Sequence, residues 1–62
     1  MKQRIKNFKN KRVRLKWHIN GWDYDIVGEI KECWKIRFVF RVNGSMNNRL
    51  EYSQAANIEA IK

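Results

Sequence analysis

Proline is absent from this chain of 62 residues, and cysteine and histidine occur once each. Cys33 therefore has no second cysteine with which to form a disulfide within the chain, and such scarcity is typical of a reducing, intracellular setting. A structural zinc ion needs three or four cysteine or histidine ligands, so Cys33 and His18 are too few. The sequence predicts no metal site and no cofactor.

Long apolar runs are also missing. The longest uncharged segment is far shorter than the roughly 20 residues that span a bilayer as a helix. The N-terminus lacks the apolar segment and the small-residue cleavage site of a secretory signal. We therefore expect a cytoplasmic protein without a membrane partner, and a chain this short has room for only one small core.

Acidic residues are few, and the basic residues are concentrated near the N-terminus. The chain holds 14 lysines and arginines against 6 aspartates and glutamates, a net charge of +8. Segregated charge of this kind typically marks a surface for a polyanion, most often nucleic acid. The alternative is a solvated tail, but so many cations without an acid exceed what solubility requires. Residues 1–16 contain no acid and eight basic residues: Lys2, Arg4, Lys6, Lys9, Lys11, Arg12, Arg14 and Lys16.

The clearest structural pattern lies in residues 34–42, where strict alternation rich in aromatic and β-branched types predicts a half-buried strand. Its outer face is a second candidate surface for phosphates, which the first strand would extend if it pairs alongside. Ordinary cross-strand pairing with Asp25, Glu29 or Glu51 is the alternative. The predicted inner face carries Trp34, Ile36, Phe38, Phe40 and Val42, and the outer face carries Lys35, Arg37, Val39 and Arg41.

Similar alternation predicts four further strands. An Asn20-Gly21 pair between the first two suits a tight hairpin turn, because both residue types tolerate positive φ. Gly28, inside the second strand, predicts a sharp bend where the sheet curls over itself. The predicted strands occupy residues 12–19, 22–33, 34–42, 49–53 and 58–61, with a polar turn at 43–48 and one 3₁₀ turn at 53–57.

Five short strands without a long helix predict an all-β fold, a small five-stranded antiparallel barrel over residues 12–62. Closure suits so short a chain, because an open sheet would expose both edges. Ile5 and Phe8, three positions apart, favour a short helix within the basic residues 1–11, docked on the barrel end; a mobile arm is the alternative. The predicted core consists of Val13, Leu15, Ile26, Ile30, Ile36, Phe38, Phe40, Leu50 and Ile58.

This order of elements resembles the small SH3-like barrels of the Sm/Hfq type and the YolD-like proteins of Gram-positive bacteria and their phages. The segments that carry the resemblance are residues 13–20, 26–30 (Ile-Val-Gly-Glu-Ile), 50–52 (Leu-Glu-Tyr) and 56–61 (Ala-Asn-Ile-Glu-Ala-Ile).

Two departures limit what the resemblance implies about a partner. Hfq-type proteins follow the equivalent tyrosine with a Lys-His pair used for RNA, whereas Tyr52 precedes Ser53 and Gln54. Sm proteins carry Asp and Met-Asn between the second and third strands, whereas residues 31–34 read Lys-Glu-Cys-Trp. The resemblance therefore implies a fold rather than a particular ligand.

Several other residues are candidates for chemistry. Trp22 follows the hairpin turn directly, so it is the best candidate for stacking on a base or anchoring a partner. Asp23 and Asp25 project to one side, but a metal site or acid–base pair needs further convergent ligands, and pairing with nearby cations is favoured. His18 lacks an orienting group for nucleophilic chemistry. We predict that the protein is not an enzyme.

The sequence favours a small basic nucleic-acid-binding protein that recognises RNA or DNA largely through backbone and shape. The alternative is a phage or mobile-element interaction module that binds and modulates a host enzyme. An unpaired edge strand would also invite ring or dimer formation. The predicted nucleic-acid-binding residues are Lys2, Arg4, Lys6, Lys9, Lys11, Arg12, Arg14, Lys16, Trp22, Lys35, Arg37 and Arg41.

Overall fold

Residues 1–61 are described by a computed structural model. One short α-helix precedes five strands, and a 3₁₀ turn separates the last two strands. The elements are α1 (Lys2–Asn7), β1 (Arg12–Ile19), β2 (Trp22–Cys33), β3 (Arg37–Val42), β4 (Met46–Glu51), the 3₁₀ turn (Tyr52–Gln54) and β5 (Ala55–Ala60).

The five strands form one sheet in the order β4-β3-β2-β1-β5, and every neighbouring pair is antiparallel. The all-β, antiparallel prediction is confirmed. Within residues 1–61, β4 and β5 lie at opposite edges and do not pair, so the sheet is not closed there as a barrel requires. Because β2 lies between β1 and β3, the basic outer residues of β1 and β3 do not sit on adjacent strands.

The predicted Asn20-Gly21 turn is present, and a second Asn-Gly pair lies within the predicted polar turn at 43–48. Asn20 (φ 51°) and Gly21 (φ 82°) join β1 to β2, and Asn43 (φ 55°), Gly44 (φ 74°) and Ser45 join β3 to β4. Two consecutive residues in the left-handed region give the twist that matches paired strands. The second turn is shorter than the predicted 43–48, because β4 already pairs with β3 at Met46.

Gly28, where the sequence predicts a sharp bend, allows a close approach between β2 and β3. A Cβ atom there would collide with the backbone carbonyl oxygen of Arg41 and lie 2.8 Å from Cζ of Phe40. No flexible side chain tip could move aside to relieve the first of these contacts. The absence of a side chain at Gly28 therefore lets β3 pack directly against β2.

The core lies on the inner face of the sheet. Seven of the nine predicted core residues are buried, whereas Ile26 is half-buried and Ile36 is 61% exposed. The prediction for Ile36 is wrong, and Trp34, assigned to the same face, is 46% exposed. The buried members of the predicted set are Val13, Leu15, Ile30, Phe38, Phe40, Leu50 and Ile58.

The reason is that β3 begins at Arg37 rather than at residue 34. The backbone N–H of Trp34 donates to the carbonyl oxygen of Arg37 at 2.8 Å, which closes a tight connection between β2 and β3. Alternation therefore governs side-chain direction only from Arg37 onward. Val39, predicted on the outer face, is nevertheless 8% exposed and counts among the buried residues.

The last elements also begin earlier than the pattern predicts. β5 starts at Ala55, where it pairs with Trp17 of β1, instead of at residue 58. The 3₁₀ turn starts at Tyr52, whose ring stacks on Phe38 with a centroid distance of 5.3 Å. β4 likewise starts at Met46 instead of at residue 49. Small and polar residues can extend β4 and β5 because both are edge strands, which need few apolar side chains.

The N-terminal segment forms a helix that packs on the sheet, the alternative that the sequence favours over a mobile arm. Ile5 is fully buried in the same core as the strands, and Phe8 packs against it. The Arg4 guanidinium donates from Nη2 to the carbonyl oxygen of Ile58 at 2.9 Å. Lys9 forms a single parallel bridge with Ile30. Helix α1 thus covers one end of the core.

Candidate nucleic-acid interface

Tyr52 brings helix α1 and the β2–β3 connection to the same end of the molecule. The Lys2 ammonium lies 5.5 Å from the centre of the Tyr52 ring, a cation–π distance. The Tyr52 hydroxyl donates to the carbonyl oxygen of Trp34 at 2.8 Å, and its backbone N–H donates to that of Ile36 at 3.2 Å. We call this region the basic end: Lys2, Trp34, Lys35, Ile36 and Arg37.

Side chains of the basic end point into solvent from a fixed backbone. Trp34 is 46% exposed, and Lys35 and Arg37 are exposed on either side of Ile36. Lys6 lies one helical turn after Lys2, so both ammonium groups can reach the same side of α1. Exposed aromatic and cationic side chains held together suit a polyanion whose bases can stack.

The hydrogen bond that holds the connection persists at neutral pH. Burial, with a smaller contribution from the neighbouring Cys33, raises the pKa of the Tyr52 hydroxyl to about 12. The phenol therefore remains protonated and donates to Trp34. Deprotonation at high pH would remove this donor and weaken the contact between Tyr52 and the β2–β3 connection.

The sheet face is less basic than the sequence indicated. Cross-strand register places Arg12 opposite Glu29, Lys16 opposite Asp25, and His18 opposite Asp23. Arg14 forms a bidentate ion pair with Asp25, with Nε–Oδ1 and Nη2–Oδ2 distances of 2.7 and 2.6 Å. Ordinary cross-strand pairing, the alternative for this face, thus engages Arg14.

Other predicted cations also have partners within the protein. Arg4 binds the Ile58 carbonyl, and Lys9 lies 3.9 Å from a carboxylate oxygen of Glu32. Arg41 donates through Nε to the side-chain oxygen of Asn47 at 3.1 Å. Of the predicted set, the structure brings Lys2, Lys35 and Arg37 to the basic end. Lys6 follows one helical turn along α1, and Arg12, Arg14, Lys16 and Arg41 lie on the sheet face.

Trp22 is 72% exposed, as its position after the turn predicted. It begins β2, whereas the basic end follows the last residue of β2, so the two lie at opposite ends of that strand. Its neighbour Tyr24 is 41% exposed and stacks on Trp17 at 5.0 Å. The aromatic residue that does accompany the cations is Trp34, which the sequence assigned to the core.

One feature of the sequence indicated that Trp34 lies in a connection and not in a strand. The predicted second and third strands, residues 22–33 and 34–42, follow one another with no connecting residue. Antiparallel neighbours need a loop, and two to five residues is the usual length. A connection therefore had to take residues from one strand or the other, and residues 34–36 supply it.

Arg12, Glu29 and Arg41 share a row across three strands, because Arg12 pairs with Glu29 and Glu29 pairs with Arg41. They line an open cleft of about 350 Å³ together with Val27, Gly28, Asn43 and Gly44. Every charged side chain in this lining belongs to that row. The cleft therefore combines two guanidinium groups with one carboxylate.

The Arg14–Asp25 pair makes a testable prediction about titration. The hydrogen bonds and charge of Arg14 hold the pKa of Asp25 below its ordinary value, against a smaller opposing effect of burial. Stability from this pair is present above the unfolded-state pKa of Asp25 and is lost as pH falls through its lower folded-state pKa. In Arg14→Gln the Asp25 pKa should rise, as followed by NMR of the carboxyl carbon. Arg12→Gln is the control, and an equal rise there would contradict the assignment.

Comparison with protein families, curated proteins and solved structures found no match. Within residues 1–61, no three histidine, cysteine, aspartate or glutamate side chains gather closely enough to hold a metal ion. Over the same range, no helix has both the length and the apolar character needed to cross a membrane. The function of the chain is therefore inferred from its own sequence and geometry.

Proposed function

We propose that this chain is a small, non-enzymatic nucleic-acid-binding protein of the SH3-like, Sm-like barrel type. The convergence of Lys2, Lys35 and Arg37 around the exposed Trp34 carries the proposal. Among residues 1–61 these three cations have no carboxylate within ion-pair distance, although Arg37 lies opposite Glu51 across β3 and β4. Cations that form no ion pair, on a chain of charge +8, attract a polyanion without first breaking a salt bridge.

The fold type is supported by the order and character of the elements. An Asn-Gly hairpin, a strand with Gly28 near its centre, a second Asn-Gly turn and a 3₁₀ turn before β5 follow in the order that prompted the resemblance. Dense packing of β3 against Gly28 supports strong curvature of the sheet. We propose that this curvature gives the sheet its barrel-like form.

Binding at the basic end is expected to be largely independent of sequence. Lysine and arginine at this end would neutralise phosphates and release condensed counterions, which makes affinity strongly dependent on salt. Trp34 would stack on an accessible base, since every base offers a π face. Phosphate contacts position the strand, and they carry no sequence information by themselves.

Removing two cations from the basic end tests the proposal. In Lys35→Ala/Arg37→Ala, the plot of log K against log salt should become shallower by about 0.9 per lost contact on duplex DNA and about 0.7 on single strands. Fluorescence anisotropy with mixed-sequence DNA and RNA at several salt concentrations measures the slope. Both side chains are exposed, so the melting temperature should change little.

The matched control is Lys16→Ala/Arg49→Ala, which removes the same charge from the outer sheet face. Its slope should stay close to that of the unmodified protein. An equal fall in both variants would show that binding is spread over the whole surface and not centred on the basic end. No measurable binding to DNA or RNA at low salt by the folded protein would refute the function itself.

The exposed Trp22 favours a second candidate function, a module that binds and modulates a host enzyme. Large aromatic side chains at loop tips commonly anchor protein partners, and Met46, 61% exposed, adds a further apolar side chain on a hairpin. Pull-down from lysate with and without nuclease separates the two functions. A single stoichiometric protein that survives nuclease and is lost in Trp22→Ala would support this one.

A further inference from the structure

The cleft on the sheet face contains hydrogen-bonding groups that the protein itself leaves largely unused. Asn47 binds only Nε of Arg41, so the terminal nitrogens of that guanidinium have no hydrogen bond among residues 1–61. Across the same described range, the Arg12 side chain has neither a hydrogen bond nor an ion pair. The nearest cation to the Glu29 carboxylate within ion-pair distance is Lys31, at 3.9 Å.

These groups sit side by side on adjacent strands. Directly opposed residues in an antiparallel pair have Cβ atoms about 4.5–5.5 Å apart, so Glu29 is flanked by an arginine on each side. Because neither arginine forms an ion pair with it, both can turn their donors toward a ligand. Val27, 38% exposed, adds an apolar surface beside the row.

The combination is better suited to a base than to a phosphate. Two arginines alone would favour a phosphate, but the carboxylate of Glu29 between them would repel one. A carboxylate instead needs a ligand that donates hydrogen bonds, while a guanidinium needs one that accepts them. The ligand must therefore present acceptors and donors next to each other on one planar edge.

Guanine meets this requirement. Its N7 and O6 atoms are acceptors for a bidentate arginine, and the adjacent N1–H and 2-amino groups are donors that match the two oxygens of a carboxylate. These four groups follow one another around the purine, as an arginine and Glu29 follow one another across the strands. Adenine offers an acceptor at N1 where guanine offers a donor, so it would oppose the carboxylate.

We propose that the cleft lined by Arg12, Glu29 and Arg41 binds an unpaired guanine and gives the protein a base preference. This inference rests on the proposed nucleic-acid binding. One arginine contacts N7 and O6, Glu29 accepts from N1–H and the 2-amino group, and the second arginine stacks on the base. Because the Watson–Crick edge is used, the guanine must lie in a single strand.

The test compares single-stranded adenine oligonucleotides with and without one central guanine, as DNA and as RNA, by fluorescence anisotropy. The guanine oligonucleotide should bind about tenfold more tightly, which lies within the discrimination that a bidentate base contact provides. Hypoxanthine, which lacks the 2-amino group, and 7-deazaguanine, which lacks N7, should each lose most of that advantage. Equal binding of all four oligonucleotides would overturn the inference.

Substitution of Glu29 separates a base contact from a general charge effect. Glu29→Gln removes a negative charge, so affinity for the adenine oligonucleotide should hold or rise while the advantage of guanine disappears. A parallel change in affinity for both oligonucleotides would overturn the role of Glu29. Should this variant unfold, the base analogues still decide the matter on the unmodified protein.

The basic-end variant separates a failure of the guanine site from a failure of the proposed nucleic-acid binding. Lys35→Ala/Arg37→Ala should weaken binding of both oligonucleotides to the same degree and leave their ratio unchanged. Binding of every oligonucleotide with no guanine advantage would leave the proposed function intact and overturn only the cleft. A complete absence of binding would overturn both.

Discussion

Phe38→Ala should lower the free energy of unfolding by about 3–5 kcal/mol, most of what so small a domain possesses. Phe38 is fully buried, stacks on Tyr52 and pairs across the strands with Leu50. Truncation removes this apolar surface and leaves a cavity that the surrounding strands can fill only in part. Urea denaturation followed by circular dichroism measures the loss.

Ile36→Ala provides the matched control, because the alternating pattern places Ile36 and Phe38 on the same face. In the structure Ile36 is 61% exposed, so its truncation should change stability by no more than about 0.5 kcal/mol. A loss as large as that of Phe38→Ala would show that β3 begins before Arg37. Unchanged stability in both variants would contradict the place of Phe38 in the core.

Ile5→Ala should cost about 2–5 kcal/mol, although Ile5 lies in a segment that the charge pattern marks as a basic arm. The side chain is fully buried beneath the sheet, and α1 is further fixed by the Arg4 hydrogen bond to Ile58. Thermal unfolding monitored by circular dichroism measures the effect. Lys6→Ala on the same helix is the control and should leave the melting temperature nearly unchanged, since alanine is a good helix former.

The same packing corrects an expectation about truncation. From the sequence, deleting residues 1–11 should remove five cations with little change in melting temperature. The structure predicts strong destabilisation instead, because the deletion would uncover the core end that Ile5 and Phe8 occupy. If the truncated protein melts like the full chain, α1 does not contribute to the core. Single charge substitutions are therefore the sound way to test the basic segment.

The sequence predicts those parts of the fold that depend on local pattern. Residues Arg12–Ile19 and Trp22–Cys33 form strands with the predicted bounds, because alternation is strict and an Asn-Gly pair fixes the turn between them. The prediction from local pattern fails at the start of β3. There the apolar alternation continues through residues 34–36, which the chain needs as a connection between two antiparallel strands. Two large apolar side chains, Trp34 and Ile36, are exposed as a result.

The candidate sites could be predicted only in part, since they depend on which strands are neighbours. Alternation assigns Arg14 and Asp25 to outer faces, but only the register brings them into an ion pair. The row of Arg12, Glu29 and Arg41 requires β2 to lie between β1 and β3, which no local signal specifies. Conversely, the exposure of Trp22 follows from its place beside a turn and was predictable.

The pairing of β1 with β5 has a consequence for the order in which the chain folds. The β1–β2, β2–β3 and β3–β4 pairs each join consecutive strands, whereas β5 must return to β1 from the far end of the chain. The bond from Arg4 to Ile58 links residues 54 positions apart and closes the same loop. Loop-closure entropy makes such contacts the slowest to form, so the hairpins assemble as a local meander and the two chain termini meet last. Without proline, no isomerisation step competes with that final closure for control of the rate.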